Sequence, residues 1–305
     1  MEYIMETDNL VKRYGAATVV DHVTLHVPKG KIYGLLGQNG AGKTTIMSML
    51  LNLTAPTQGH ISLFGKDYRT FQKEAYSRIG SMIETPGFYH NLTGWENLEI
   101  LARLRGRKQK TEIKKALQKV GLEQETEKYF GNYSLGMKQR LGIAAAIMHD
   151  PELLILDEPI NGLDPVGIAA IRNYLDQLCH QYGTTILISS HILSEMEQLA
   201  DVIGVISEGK LLKEVTKEKL QDGAHGYLEF EVSNAEKAEN ILKQYYQNPE
   251  YRISGQTIRI YDMVQNSGEI NTIFVKSGLT VTKINHKEET LEDIFLALIG
   301  GNNIA

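Results

Sequence analysis

The sequence predicts an α/β protein in two parts, a large doubly wound unit followed by a small α+β unit. Three observations carry this reading. A glycine-rich loop, Gly37 to Thr44, stands between a strand-like apolar run and a run with helical spacing. From Leu153 to Ile206, short all-apolar runs alternate with helical stretches, the pattern of a parallel sheet buried on both faces. Beyond Tyr227 the elements follow a β-α-β-β-α-β order. A length of 305 residues also exceeds what one ordinary domain holds.

Taken in order, Val19 to Val27 places Val23, Leu25 and Val27 at alternate positions and reads as a strand, and Lys31 to Leu36 reads as a second one ending at the glycine loop. Thr44 to Leu53 sets Met47, Leu50 and Leu51 on one helix face. Asn91 to Arg105, Glu112 to Val120 and Lys138 to Met148 read as successive helices, a helical insert in the middle of the chain. Leu153 to Leu156, Thr185 to Ile188 and Val202 to Ile206 are expected strands, with helices at Ile168 to Leu178 and Leu193 to Leu199 between them. Polar, glycine-bearing Gln221 to Gly226 reads as a linker, which divides the chain into residues 1–220 and 221–305. Then come a strand at Tyr227 to Val232, a helix at Ala235 to Tyr246 and a hairpin of Tyr251 to Ser254 with Thr257 to Tyr261 across Gly255. A helix at Ser267 to Ser277 and a strand at Thr280 to Asn285 complete a ferredoxin-like order, and a last helix is expected at Thr290 to Ile299.

Composition narrows the function. With 42% hydrophobic residues, 23% charged residues and a net charge of −5, the chain falls in the soluble globular class and carries no overall field for nucleic acid. Cys179 is the single cysteine, so no intramolecular disulfide is possible, and an inert packed thiol in a reducing cytosol is the expectation. Met1 to Asn9 carries Glu2, Glu6 and Asp8 with no apolar core, against a signal peptide. No apolar run approaches the ~20 residues of a spanning helix, so any membrane role is expected to be peripheral.

Gly37-Gln38-Asn39-Gly40-Ala41-Gly42-Lys43-Thr44 fits G-x-x-x-x-G-K-[ST]. Glycines let backbone N–H groups close around phosphate oxygens at a helix N-terminus. Lys43 would reach the outer phosphates of a nucleotide, and the Thr44 hydroxyl would join the shell of Mg²⁺, which prefers oxygen ligands. The apolar run Leu153 to Leu156 delivers Asp157 and Glu158 to the end of a strand, where α/β sheets bind ligands. Asp157 is the expected Mg²⁺ carboxylate, and Glu158 the expected acceptor for a proton from attacking water.

Over residues 4 to 220 these motifs resemble the ATP-binding subunits of ABC transporters. The resemblance implies a P-loop ABC ATPase domain with an antiparallel β subdomain and a helical insert over about residues 85–148, followed by the small accessory domain. It implies ATP and Mg²⁺ as ligands. Gly37 to Thr44, with Thr45 after them, would hold the phosphates, and Tyr14 matches the aromatic that stacks on adenine, although read alone it is an exposed tyrosine. Tyr133-Ser134-Leu135-Gly136-Met137 aligns with the L-S-G-G-Q signature and keeps Ser134 and Gly136, but Tyr133, Leu135 and Met137 depart from it. In the family this segment caps the γ-phosphate of ATP on the opposite subunit; read alone, Ser134 is a helix start. Asp164, in Asn161-Gly162-Leu163-Asp164, resembles the loop that crosses to the partner and is also suited to cap the helix at Pro165. His191 resembles the switch histidine at the γ-phosphate. Glu84 stands where the family places a metal-binding glutamine, so the implied metal set is Thr44, Glu84 and Asp157.

The Glu84 stretch and the signature variant together resemble the subgroup that exports, or confers immunity to, bacitracin- and lantibiotic-type peptides. Its implied partners are an integral membrane permease and a second ATPase copy, at the cytoplasmic face of the membrane, with no nucleic acid. Leu291-Glu292-Asp293-Ile294-Phe295 is similar to the appended domains of exporter ATPases. An ABC ATPase acting on ribosomes or DNA is the rival, and this chain has neither tandem ATPase units nor a long coiled coil. A module that binds nucleotide without turnover would not require Glu158.

Overall fold

The computed structural model describes residues 2–84, 87–106, 110–217, 227–247, 249–261, 263 and 266–287. The chain divides into two compact units, Met1–Lys217 and Glu218–Ala305. Of the expectations above, the linker at Gln221 to Gly226, the helix at Thr290 to Ile299 and the Leu291 to Phe295 motif lie outside the described residues.

The first unit opens with β1 (Tyr3–Tyr14), followed by β2 (Ala17–Val23) and β3 (His26–Pro28). The single strand expected over Val19 to Val27 is therefore two. Both run antiparallel to β1, with Leu10 opposite Val23 and Met5 opposite Val27. The break lies at Thr24 and Leu25, where side chains take over the ladder. Thr7 Oγ1 accepts the Leu25 N–H at 2.9 Å and donates to Val23 O at 3.0 Å, while Thr24 Oγ1 accepts the Asn9 N–H at 3.0 Å.

β4 (Ile32–Leu36) leads into α1 (Lys43–Leu50), and β5 (Gln58–Leu63) with β6 (Lys66–Asp67) returns to the first sheet. That sheet is ordered β2-β1-β5-β6, with β3 also on β1. α2 (Tyr68–Ser77) and β7 (Ile79–Met82) follow, then the helices α3 (Gly94–Leu104), α4 (Lys110–Lys119) and α5 (Leu135–Ile147). α3 starts three residues later than its apolar spacing suggests because Thr93 and Glu96 form a capping box, Thr93 Oγ1 accepting the Glu96 N–H at 3.2 Å. α5 starts earlier than expected because Ser134 caps it, accepting the Met137 N–H at 3.3 Å.

Next come β8 (Leu153–Leu156), α6 (Pro165–His180), β9 (Thr185–Ser190), α7 (Leu193–Leu199), β10 (Val202–Ser207) and β11 (Lys210–Thr216). The central sheet is ordered β11-β10-β4-β9-β8-β7, parallel except for β11 on β10. Every residue of β4, β8 and β9 is buried, as expected for strands of a parallel sheet covered on both faces. Tyr33 Oη donates to Glu214 at 2.6 Å, and burial together with that neighbouring carboxylate pushes the phenol well above its usual range.

The second unit follows the order β12 (Tyr227–Val232), α8 (Ala235–Tyr245), β13 (Tyr251–Ser254), β14 (Thr257–Ile260), α9 (Ser267–Lys276) and β15 (Val281–Lys287). Among its described residues the sheet is ordered β13-β14-β12-β15 and is antiparallel throughout, the ferredoxin-like arrangement. Leu228, Phe230, Ile258 and Ile260 pack against Ile241, Ile270 and Phe274 of the two helices. On β12, buried Glu229 receives Lys287 at 2.9 Å and Arg259 at 3.2 Å.

Candidate functional site

Four parallel strands end at the same edge of the central sheet, and each releases a segment that the sequence singled out. β4 gives the loop Gly37 to Thr44, β8 gives Asp157 and Glu158, β9 gives His191 and β7 leads to Glu84.

The loop is held by its glycines. Gly37 donates its N–H to Ser190 O at 3.2 Å, and a Cβ there would collide with the Ile206 carbonyl. Gly42, with φ +103°, caps α1 without a side chain, and a Cβ on it would lie 2.9 Å from Val19 O. Gly209 closes the far side, donating to Ala41 O at 3.0 Å. Gln38, Asn39 and Gly40 are exposed, Ala41 is buried, and Thr44 and Thr45 are half-buried. The first turn of α1 contains no acidic residue of its own, so its free N–H groups and positive dipole end favour an anion there. Buried Lys43 curls over the loop, donating to Gly37 O at 2.7 Å and Gln38 O at 3.2 Å.

The acidic side meets this loop directly. Asp157, only 6% exposed, accepts from Thr44 Oγ1 at 2.7 Å and from Ser189 Oγ at 2.5 Å. The two residues expected to share a metal thus already place their oxygens together. Glu158 has φ +47°, a left-handed backbone uncommon for a residue with a side chain, and its N–H donates to Ser189 Oγ at 2.9 Å. Its carboxylate lies between two nitrogen groups: Oε1 is 3.3 Å from Lys43 Nζ, an ion pair without hydrogen-bond alignment, and Oε2 is 2.8 Å from His191 Nδ1. Lys43, Glu158 and His191 therefore form one chain of contacts. Ser189, to which the sequence assigned no role, joins the two carboxylate residues; its signal was a hydroxyl directly after the apolar run Ile186 to Ile188.

The remaining site residues stand apart from this chain. Glu84 is exposed, with φ +58°, two residues beyond Met82, which pairs with Leu156; it leaves the sheet edge beside Asp157. Tyr14 is 53% exposed at the end of β1, with Lys12 Nζ 4.8 Å from its ring centre. Asp164 caps α6 through the Gly167 N–H at 2.6 Å. Ser134 and Gly136 begin α5, and a Cβ on Gly136 would lie 3.1 Å from Leu163 Cδ2, not beside the phosphate loop.

An aromatic hub ties the segment after Glu84 to the one before Ser134. Phe130 lies 5.1 Å from Phe88, 5.5 Å from His90 and 5.8 Å from Tyr133, centre to centre. The backbone joins in: Phe130 donates to Leu92 O at 2.8 Å and Gly131 to His90 O at 3.0 Å.

At the opposite edge of the sheet, Cys179, His180 and Asp201 offer ligand atoms within 4.8 Å of one another. Side-chain contacts within the group account for it. His180 meets Asp176 at 3.0 Å and Asp201 at 3.3 Å, and Asp201 accepts the Ile32 N–H at 2.8 Å. Burial, with the charge of Asp201, pushes the Cys179 thiol up to about 12, which opposes the thiolate a metal would need. Among the described residues no helix is long and apolar enough to cross a membrane.

A family profile described as "ABC transporter" matches residues 20–161. The chain is 59% identical to the bacitracin transport ATP-binding protein BcrA of Enterococcus faecalis over 305 residues, all of this chain and 99% of the relative. It is 45% identical over 211 residues to the lantibiotic transport ATP-binding protein SrtF of Streptococcus pyogenes, covering 69% of this chain and 90% of that one. Among solved structures, the dimeric structure of MJ0796, a bacterial ABC transporter cassette, shares the fold with a TM-score of 0.65 at 21% identity, over 70% of this chain and 98% of that chain.

Proposed function

The chain belongs to the ABC transporter family of ATP-binding proteins, ATPases that power transport, and from that premise we propose that it drives a membrane permease that exports, or protects against, a bacitracin- or lantibiotic-type peptide. The observation that carries the peptide assignment is the 59% identity to a bacitracin transport ATP-binding protein along the whole chain. The 45% identity to a lantibiotic transport ATP-binding protein supports it.

In this reading two copies pair head to tail, a proposal supported by the dimeric structure of the MJ0796 cassette, which has the same fold. The phosphates of ATP settle on the α1 N-terminus, and Lys43 exchanges the Gly37 and Gln38 carbonyls for phosphate oxygens. Loop residues Gly37 to Thr45 line the phosphates while Tyr14 stacks on the base. Thr44 and Asp157, whose oxygens are 2.7 Å apart, form a hard-oxygen pair suited to Mg²⁺, with Glu84 as a third candidate ligand. Held by these oxygens, Mg²⁺ would supply charge neutralisation for phosphoryl transfer.

Glu158 orients the attacking water and takes its proton, and His191, at 2.8 Å, holds the carboxylate in place. Ser134 and Gly136 of the facing copy close over the γ-phosphate, with Asp164 at the crossing. The helical insert α3 to α5 meets the permease at the cytoplasmic face of the membrane. To test the permease link, the tagged chain is recovered with gently solubilised membranes from its native cell. A multi-span membrane protein should co-purify; ribosomes or DNA without one would overturn the transporter assignment.

A further inference from the structure

Leu135 stands where the resembled signature has glycine, and its side chain lies across Gly162. A Cβ on Gly162 would overlap Leu135 Cδ2 and lie 3.4 Å from Leu135 Cγ. The fit is reciprocal, since a Cβ on Gly136 would lie 3.1 Å from Leu163 Cδ2. Each segment thus seats a leucine on the other's glycine. Leu135 remains 51% exposed, so core burial does not account for its position.

The segment on the far side of this interlock is short and stiff. Asn161 donates its N–H to Glu158 O at 3.1 Å and Leu163 to Ile160 O at 3.3 Å, and Ile160 is buried. Asp164 fixes the other end through its cap on α6. Only three residues separate Gly162 from Glu158, and these two turns bridge them. A displacement of the α5 N-terminus therefore has a packed, hydrogen-bonded route to the Glu158 backbone.

We propose that the interlock makes residues 134–136 and 161–164 move as one piece, so that Leu135 is a positioning residue for Glu158 of its own copy. Nucleotide held by the facing copy and gripped by Ser134 then sets the Glu158 carboxylate across the interlock, coupling the two sites. This rests on the paired-copy reading above. It also accounts for the departure at Leu135, because glycine there would leave Gly162 uncovered.

The test is a double-mutant cycle on the full-length chain, reading kcat and KM for ATP by phosphate release. Gly162→Ala should lower kcat about tenfold with KM little changed, because the new methyl group displaces Leu135. Leu135→Ala should lower kcat on its own, yet Leu135→Ala with Gly162→Ala should be no worse than Gly162→Ala, leaving a coupling of about fivefold. Leu135→Met, which keeps a side chain over Gly162, should recover most of the rate lost in Leu135→Ala.

Additive losses, or losses confined to KM, would overturn the proposal. Should Gly162→Ala fold poorly, Gly136→Ala against Leu163→Ala supplies the same cycle from the other side. An additive cycle in a chain whose Glu158→Gln form still pairs in ATP removes the interlock alone. A parent chain without ATPase activity, whose Glu158→Gln form does not pair in ATP, removes the paired-copy reading and the inference with it.

Discussion

Replacing Glu158 by glutamine keeps the shape of the side chain and removes its charge and its capacity to take a proton. In the structure that carboxylate sits 3.3 Å from Lys43 Nζ and 2.8 Å from His191 Nδ1. At that separation the attraction to Lys43 is about 5 kcal/mol at an effective dielectric constant of about 20, before desolvation is subtracted. Losing it frees Lys43 for phosphate oxygens, so ATP affinity should hold or rise. Losing the proton acceptor should slow hydrolysis by a factor of about 10²–10⁴, or about 3–5 kcal/mol of barrier. The assay is steady-state phosphate release, with gel filtration in ATP to detect an accumulated pair of copies. A variant that turned over within about threefold of the parent would refute the proton-acceptor role.

Three further outcomes follow from the geometry. Lys43→Ala removes a charge-assisted donor at the phosphate loop and should weaken ATP binding by about 10- to 100-fold in equilibrium titration; unchanged affinity would count against the phosphate cradle. Ser189→Ala leaves Asp157 Oδ1 and the Glu158 N–H without their shared partner, which should cost about 1–3 kcal/mol in denaturant unfolding and lower kcat together with it. The Cys179 thiol, raised from 9.0 to about 12 by burial, should ignore a thiol reagent at pH 8 in the folded chain and react once urea unfolds it. The folded state keeps that proton while the unfolded chain loses it first, so stability from this group is intact below pH 9 and falls as pH climbs towards 12.

The parts of the fold legible from sequence were those where one physical signal dominated. Leu153 to Leu156 and Leu193 to Leu199 match their elements end to end, the first because a four-residue apolar run has no other place than a buried strand. β1 went unread because its buried positions do not alternate and its pairing with β2 shifts register twice between Leu10 and Arg13. β5, β6 and β11 were missed for a related reason: few of their residues are fully buried, and β6 and β11 lie at sheet edges, so their apolar pattern is thin. Helix starts were displaced where capping decided them, at Thr93 and Ser134.

At the site, residue types and spacing named Lys43, Thr44, Asp157, Glu158 and His191, and the structure places these five in one contact network. Spacing does not reveal who bridges them. Ser189 joins Asp157 to Glu158 across β9, a contact that depends on β9 lying between β4 and β8, which is a property of sheet order. The interlock of Leu135 with Gly162 was equally invisible, since it pairs residues from separate segments through a glycine with φ +76°.

The most direct test of the central claim is peptide susceptibility in the native cell. The gene is removed, and either the parent chain or its Glu158→Gln form is returned at equal expression. Growth is then measured across a bacitracin and a lantibiotic concentration series. Removal should sensitise the cells to at least one of these peptides, the parent chain should restore growth, and the glutamine form should not. Restoration by the glutamine form, or unaltered susceptibility to both peptides on removal, would contradict it.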